Sequence, residues 1–167
     1  MGAALVLTPR ADAPRAPGRY QSQMSAQTLA EGLAEYYARN RGRVTPPADL
    51  PPESVALFRS HDICHVIFGL DTTLGDETMA DARTMLSSDV GWARYAAYLA
   101  SDPAAKALFK ELGYAAAIWA TLATTPRILR AVVEAFRLKK RWPWTPPEAH
   151  LARPLADLRA EYGIRVI

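Results

Sequence analysis

The chain has 167 residues, of which 50% are hydrophobic and 22% charged, a length and balance that make one soluble domain with a real core. A net charge of +3, with no basic stripe interleaved with aromatics along the chain, excludes nucleic acid as the expected partner. The single cysteine, Cys64, excludes an intrachain disulfide and a Cys-rich zinc module.

Met1 to Leu7 is apolar but too short for a signal peptide, and Pro9, Pro14 and Pro17 break the amphipathic helix that a transit peptide needs. Residues 1–22 therefore read as a disordered leader and residues 23–167 as a single domain. Helical periodicity dominates that domain, and no run of strand-like alternation stands out. A first helix is predicted from Met24 to Asn40, with Thr28 and Glu31 spaced as a capping box and Gly42 as the stop. The prolines at 46, 47, 51 and 52 mark a stiff linker, and Pro52 suits a helix start. A second helix runs to Phe68 and stops at Gly69. Leu70 to Gly75 turns the chain into a third helix, Asp76 to Ser87. A fourth is predicted from Val90 to Ala100. A fifth, Ala104 to Thr124, is apolar nearly all round at Tyr114 to Leu122 and reads as central. Pro126 opens a sixth that ends in Arg137, Lys139, Lys140 and Arg141. After a loop at Trp142 to Pro147, Pro154 opens a last helix, Leu155 to Tyr162, with Gly163 as its C-cap. The expected architecture is an all-α, irregular multi-helix bundle. No stretch is long and apolar enough to span a bilayer.

The chemistry concentrates on the second helix. At about 100° per residue, His65 lies roughly 40° from His61 and Asp62 roughly 100° from it. Three candidate ligands thus occupy one third of the helix surface, and two imidazoles four residues apart can meet at one point. His-x-x-x-His on a helix is a recognised zinc arrangement. A fourth ligand is expected from the next helix, where Glu77 is the best placed and Asp71 and Asp76 compete. Two imidazoles and two carboxylates balance a divalent ion, which suits a partly buried site. Cys64 can offer a thiolate but reads more simply as a small buried hydrophobe. His150 stands alone in a Pro-rich loop. The zincin pattern is excluded because Asp62 replaces its glutamate and is one methylene shorter. The HD phosphohydrolase pattern is excluded because no histidine precedes His61.

His61-Asp62-x-x-His65, eleven residues and then Glu77 resembles the HDxxH-x11-E signature of the coenzyme Q protein four family of ubiquinone biosynthesis. Pro154-Leu155, Leu158-Arg159 and Gly163-Ile164 are similar as well, and weaker likeness covers about residues 25–165. The resemblance implies an all-α bundle with an apolar pocket for a polyprenyl tail, and zinc held by His61, Asp62, His65 and Glu77 as the catalytic group. It implies oxidative decarboxylation of a prenylated 4-hydroxybenzoate ring, the C1 carboxylate being replaced by hydroxyl. It also implies partnership with other ubiquinone biosynthesis proteins, with the membrane surface and with a second copy of the chain. The missing mitochondrial targeting segment reads as a bacterial member, cytoplasmic and peripheral on the inner membrane.

Zinc carries no redox chemistry, so either dioxygen reacts directly with the electron-rich ring or the metal is redox-active. Two histidines and a carboxylate also match the facial triad of non-haem iron, which makes Fe2+ or another divalent ion the alternative. Two other functions stay open. A non-catalytic prenyl-lipid-binding scaffold would carry a closed, structural metal. A metal-dependent hydrolase would show a pocket lined by phosphate-binding groups. For membrane contact the sequence offers Arg137, Lys139, Lys140 and Arg141 followed by Trp142 and Trp144, a basic patch with interfacial aromatics. Helix C-terminal complementation and core packing would explain the same residues.

Overall fold

The computed structural model describes residues 15–45, 47–50, 52–91, 93–95 and 125–167. Among these the protein is all-α, with no strand and only isolated bridges such as Thr28 with Pro154. Helix α1 is Leu29–Arg39, α2 is Pro52–Phe68 and α3 is Leu74–Ser87. Residues 125–136 form α4, and α5 is Leu155–Tyr162. The predicted helix Ala104 to Thr124, with its apolar stretch Tyr114 to Leu122, lies outside the described residues. So does the end of the predicted helix at Val90 to Ala100, of which residues 93–95 are helical.

Helix α1 begins at Leu29 rather than at Met24, because the Thr28 capping box sets its start. Thr28 Oγ1 accepts the Glu31 N–H at 3.2 Å, and Glu31 returns a carboxylate to the Thr28 N–H at 2.8 Å. The residues just before have other work. The carbonyls of Ser25 and Gln27 accept the N–H groups of Ala156 and Leu155, the open first turn of α5, whose Pro154 cap offers no side-chain acceptor. Helix α3 by contrast starts early, at Leu74, since Thr73 is its N-cap and accepts the Asp76 N–H at 3.1 Å.

Helix α2 lies at the centre. Ile63, Cys64, Val66, Ile67 and Phe68 are all buried against α1, α3 and the N-terminal segment. Its C-terminal carbonyls, which no intrahelical N–H can reach, are taken by Arg159 of α5. Arg159 is fully buried and donates to the carbonyls of Ile67, Val66, Tyr20 and Ser22 at 2.5–2.9 Å. Gly69 then turns the chain with φ +73°, and Leu70 N–H bonds back to the His65 carbonyl at 2.8 Å. A Cβ at Gly69 would also meet Val166 Cγ1 at 2.7 Å.

Two expectations are overturned. The disordered leader does not reach residue 22. Arg19–Gln21 is a 3-10 turn, and Tyr20 is fully buried edge-on to Tyr36, its hydroxyl donating to the Leu70 carbonyl. Residues 1–14 lie outside the described part. The basic run Arg137 to Arg141 is not a helix end, because α4 stops at residue 136. Lys139 N–H goes instead to the Tyr162 carbonyl and Trp142 N–H to the Ser87 carbonyl. Trp142 and Trp144 are core residues, Trp142 packing edge-on to Tyr162 at 4.9 Å. They are therefore no interfacial anchor.

Candidate metal centre

Pro52 and Gly69 bound α2, so His61 and His65 sit on consecutive turns of a rigid, buried helix. Their rings lie 4.8 Å apart, edge to face. The Gly69–Thr73 turn folds α3 back antiparallel, and this brings Glu77 opposite His65. His65 Nε2 stands 3.3 Å from Glu77 Oε2. One turn up α2 and one turn on along α3, His61 Nε2 stands 3.5 Å from Asp81 Oδ1. Two ligands each about 2.1 Å from one tetrahedral ion stand about 3.4 Å apart, so the spacing is that of a metal pair. The ligand atoms of His61, His65 and Glu77 all lie within 4.8 Å of one another and can hold a metal ion.

The tautomer of His65 sharpens this. Its Nδ1 lies 3.1 Å from the Asp71 carbonyl, an acceptor only, so Nδ1 carries the hydrogen. In the neutral ring Nε2 then presents a lone pair to a carboxylate oxygen. Two lone pairs at 3.3 Å repel unless a cation lies between them. In the metal-free protein that cation is a proton. Burial pushes the imidazolium down, but Glu77, Asp62 and Asp81 together outweigh it and raise His65 to about 9.

The competing carboxylates are committed elsewhere. Asp71 faces Arg15 at 3.3 Å and Arg39 at 3.8 Å. Asp76 accepts the Asp71 N–H and the Arg127 guanidinium. Asp62 is buried beside the imidazoles, and Tyr37 donates to its Oδ2 at 2.8 Å. Its carboxylate, like that of Asp81, falls outside the three-residue group. Burial raises its carboxyl to about 6, with the two imidazoles and the Tyr37 hydroxyl holding it down. Cys64 is buried and pushed up to about 12 by that burial, which makes it a thiol rather than a ligand. His150 is remote in role, its Nε2 2.9 Å from the Tyr162 hydroxyl and its ring against Trp142. Asp81 is not among the sequence candidates. The signal that finds it is the spacing Glu77–Asp81, a second i,i+4 pair facing the first across an antiparallel hairpin.

The imidazoles are buried, His65 completely, whereas the Glu77 and Asp81 side chains are 38% and 40% exposed. An ion here would sit with its nitrogen side walled and its carboxylate side open. A cleft of about 90 Å³ lies on another part of α2, lined by Ala56, Ser60, Ile63 and Leu151 among others. Ordinary ligand pockets measure roughly 300 Å³ or more, so this cleft is smaller than those. No known protein family, curated protein or solved structure matches the chain.

The raised groups fix how metal and pH act together. His65 is protonated more readily folded than unfolded, so its stabilisation is full below about 6.5 and fades as pH rises through about 9. Asp62 behaves alike, its contribution full below about 3.9 and lost as pH rises through about 6. The metal-free protein therefore loses stability at this site from mild acid to mild alkali, and a divalent ion replaces what the protons supplied. Thermal unfolding of stripped protein with equimolar zinc should show a larger gain in Tm at pH 8 than at pH 6. A gain that shrinks with rising pH would remove His65 as a ligand.

Proposed function

We propose that this protein binds a divalent ion, zinc by its ligand set, at His61, His65 and Glu77, and works in ubiquinone biosynthesis. The proposed reaction is oxidative decarboxylation of a polyprenylated 4-hydroxybenzoate-type ring. In it the C1 carboxylate leaves as carbon dioxide, water supplies the hydroxyl that takes its place, and dioxygen accepts the two electrons and two protons and leaves as hydrogen peroxide. The observation that carries the metal is the His65 Nε2 lone pair opposed to Glu77 Oε2, with Nδ1 already bonded to the Asp71 carbonyl. The pathway rests on the His61-Asp62-x-x-His65-x11-Glu77 resemblance, supported by the all-α fold that bears it. In that resemblance Asp62 is a zinc ligand too.

Bound zinc supplies Lewis acidity that orients and polarises a carboxylate or phenolate. The protein's own part is to hold the imidazoles rigidly from behind and leave the Glu77 side open to an incoming ring. That openness supports a catalytic rather than a closed structural site. No helix among the described residues is long and apolar enough to cross a membrane. A prenylated substrate would be met at a lipid surface instead. Leu129, Val133 and Phe136 support this, as an exposed stripe on α4 flanked by Arg130 and Arg137, with Phe136 87% exposed. Other ubiquinone enzymes, and a second copy of the chain, are the proposed protein partners.

The test is a bacterial strain unable to exchange the C1 carboxylate for hydroxyl. The wild-type chain should restore ubiquinone. Glu77→Gln keeps the shape of the side chain, removes the charge that balances the ion, and should accumulate the carboxylated prenyl intermediate. Full rescue by Glu77→Gln would leave a prenyl-lipid scaffold with a structural metal as the better reading.

A further inference from the structure

The antiparallel hairpin of α2 and α3 pairs turns in a fixed register. Where His65 meets Glu77, the preceding turn of α2 must meet the following turn of α3, and there His61 Nε2 finds Asp81 Oδ1 at 3.5 Å. We infer that Asp81, not Asp62, is the second carboxylate of the metal centre, completing a set of two imidazoles and two carboxylates with His61, His65 and Glu77. The inference rests on the metal reading above.

Asp81 comes from the same helix as Glu77, one turn on, and shares its exposure at the open rim of the site. A rim carboxylate can turn toward an arriving ion with little cost in packing. Tyr95, itself fully buried, donates its hydroxyl to Asp81 Oδ1 and so holds the carboxylate at the site. Such outer hydrogen bonds orient ligating carboxylates. Tyr95 is fixed in turn by edge-on packing against Trp144 at 6.3 Å, which gives that buried tryptophan a place in the support of the centre.

Asp62 is differently placed. It lies behind the imidazoles, buried, with its carboxylate engaged by Tyr37 at 2.8 Å. Asp62 then acts as a positioning residue beside the histidines.

The experiment titrates Co2+ into metal-stripped protein, follows the visible d–d absorption, and measures zinc affinity by competition with a chromophoric chelator. Wild type, Asp81→Asn, Asp62→Asn and Tyr95→Phe are compared, with circular dichroism checking each fold. Asp81→Asn should lose at least tenfold in zinc affinity and change the cobalt spectrum. Asp62→Asn should stay within about threefold and keep the spectrum, and Tyr95→Phe should weaken binding by less than Asp81→Asn. Loss confined to Asp62→Asn, or equal loss in Asp62→Asn and Asp81→Asn, overturns the inference and leaves the metal reading standing. Wild-type protein that takes up neither ion fails the metal reading itself.

Discussion

His65→Ala should strip the protein of metal. Wild-type protein should carry about one divalent ion per chain, since the described residues hold one such ligand group. His65 is completely buried, and a backbone carbonyl fixes its orientation. Losing a preorganised ligand of this kind should cost on the order of 100-fold or more in affinity, since even outer-shell partners are worth 10–100-fold. Because His65→Ala leaves a hole in the core, His65→Gln should be measured beside it, as it fills the space without an imidazole. His150→Ala serves as the control. Its imidazole meets Tyr162 and Trp142, so it should keep the metal and lose only a little stability. Elemental analysis of wild type and the three variants decides the matter, and equal metal in all four would abolish the site.

Arg159→Met should be the most damaging substitution in the fold. The methionine keeps an unbranched stem in the core, but four carbonyls lose a donor at once, and those of Ile67 and Tyr20 are left with none, whereas those of Val66 and Ser22 keep the N–H groups of Gly69 and Ser25. Leaving buried carbonyls unpaired costs about 1–3 kcal/mol each before relaxation and entry of water. A net loss of roughly 3–4 kcal/mol is expected, or about 10 °C in Tm for a chain of this size. Arg159→Lys should recover little, because an ammonium on a flexible stem cannot reproduce the planar fork. Urea unfolding should show the midpoint falling at unchanged slope. A loss under about 1 kcal/mol would mean that water replaces the guanidinium without penalty.

How much of the fold and the site is legible in the sequence depends on how local each signal is. Thr28 with Glu31, Pro52 with Gly69, and Pro154 with Gly163 mark helix ends by chemistry within four or five residues, or by a residue that alone suits its position. Gly163 indeed has φ +74°. His61 and His65 are readable because a helical period places them on one face whatever surrounds them. The partner of His61 is legible only as the i,i+4 spacing of Glu77 and Asp81, which becomes significant once the hairpin register is known. The N-terminal segment reads wrongly as disordered up to residue 22 because its prolines and polar residues hide a single anchor, Tyr20, with no periodicity around it. The tryptophans are ambiguous for a physical reason. A basic run before aromatics looks the same whether the aromatics meet lipid or, as here, the rings of Tyr162 and Tyr95. Arg159 gives no sign of burial, because what buries it is a ring of carbonyls from separate stretches of chain.

The turn that carries the Asp71 carbonyl is shaped by distant parts of the sequence. Arg15, Tyr20 and Gln21 bond to Asp71, Leu70 and Gly69 from one side. From the other, Val166 presses on Gly69 while Gln23 joins Ile164 and Val166 at 3.1 and 2.8 Å. These contacts span some 50 to 140 residues of chain, so their loop-closure entropy is met late in folding. Helix α2 and its two imidazoles can form early from local signals, but the carbonyl that sets the His65 tautomer arrives only when both distant stretches have docked. A chain still emerging from the ribosome thus offers histidines without a site, and metal is selected by the finished fold rather than by the nascent one.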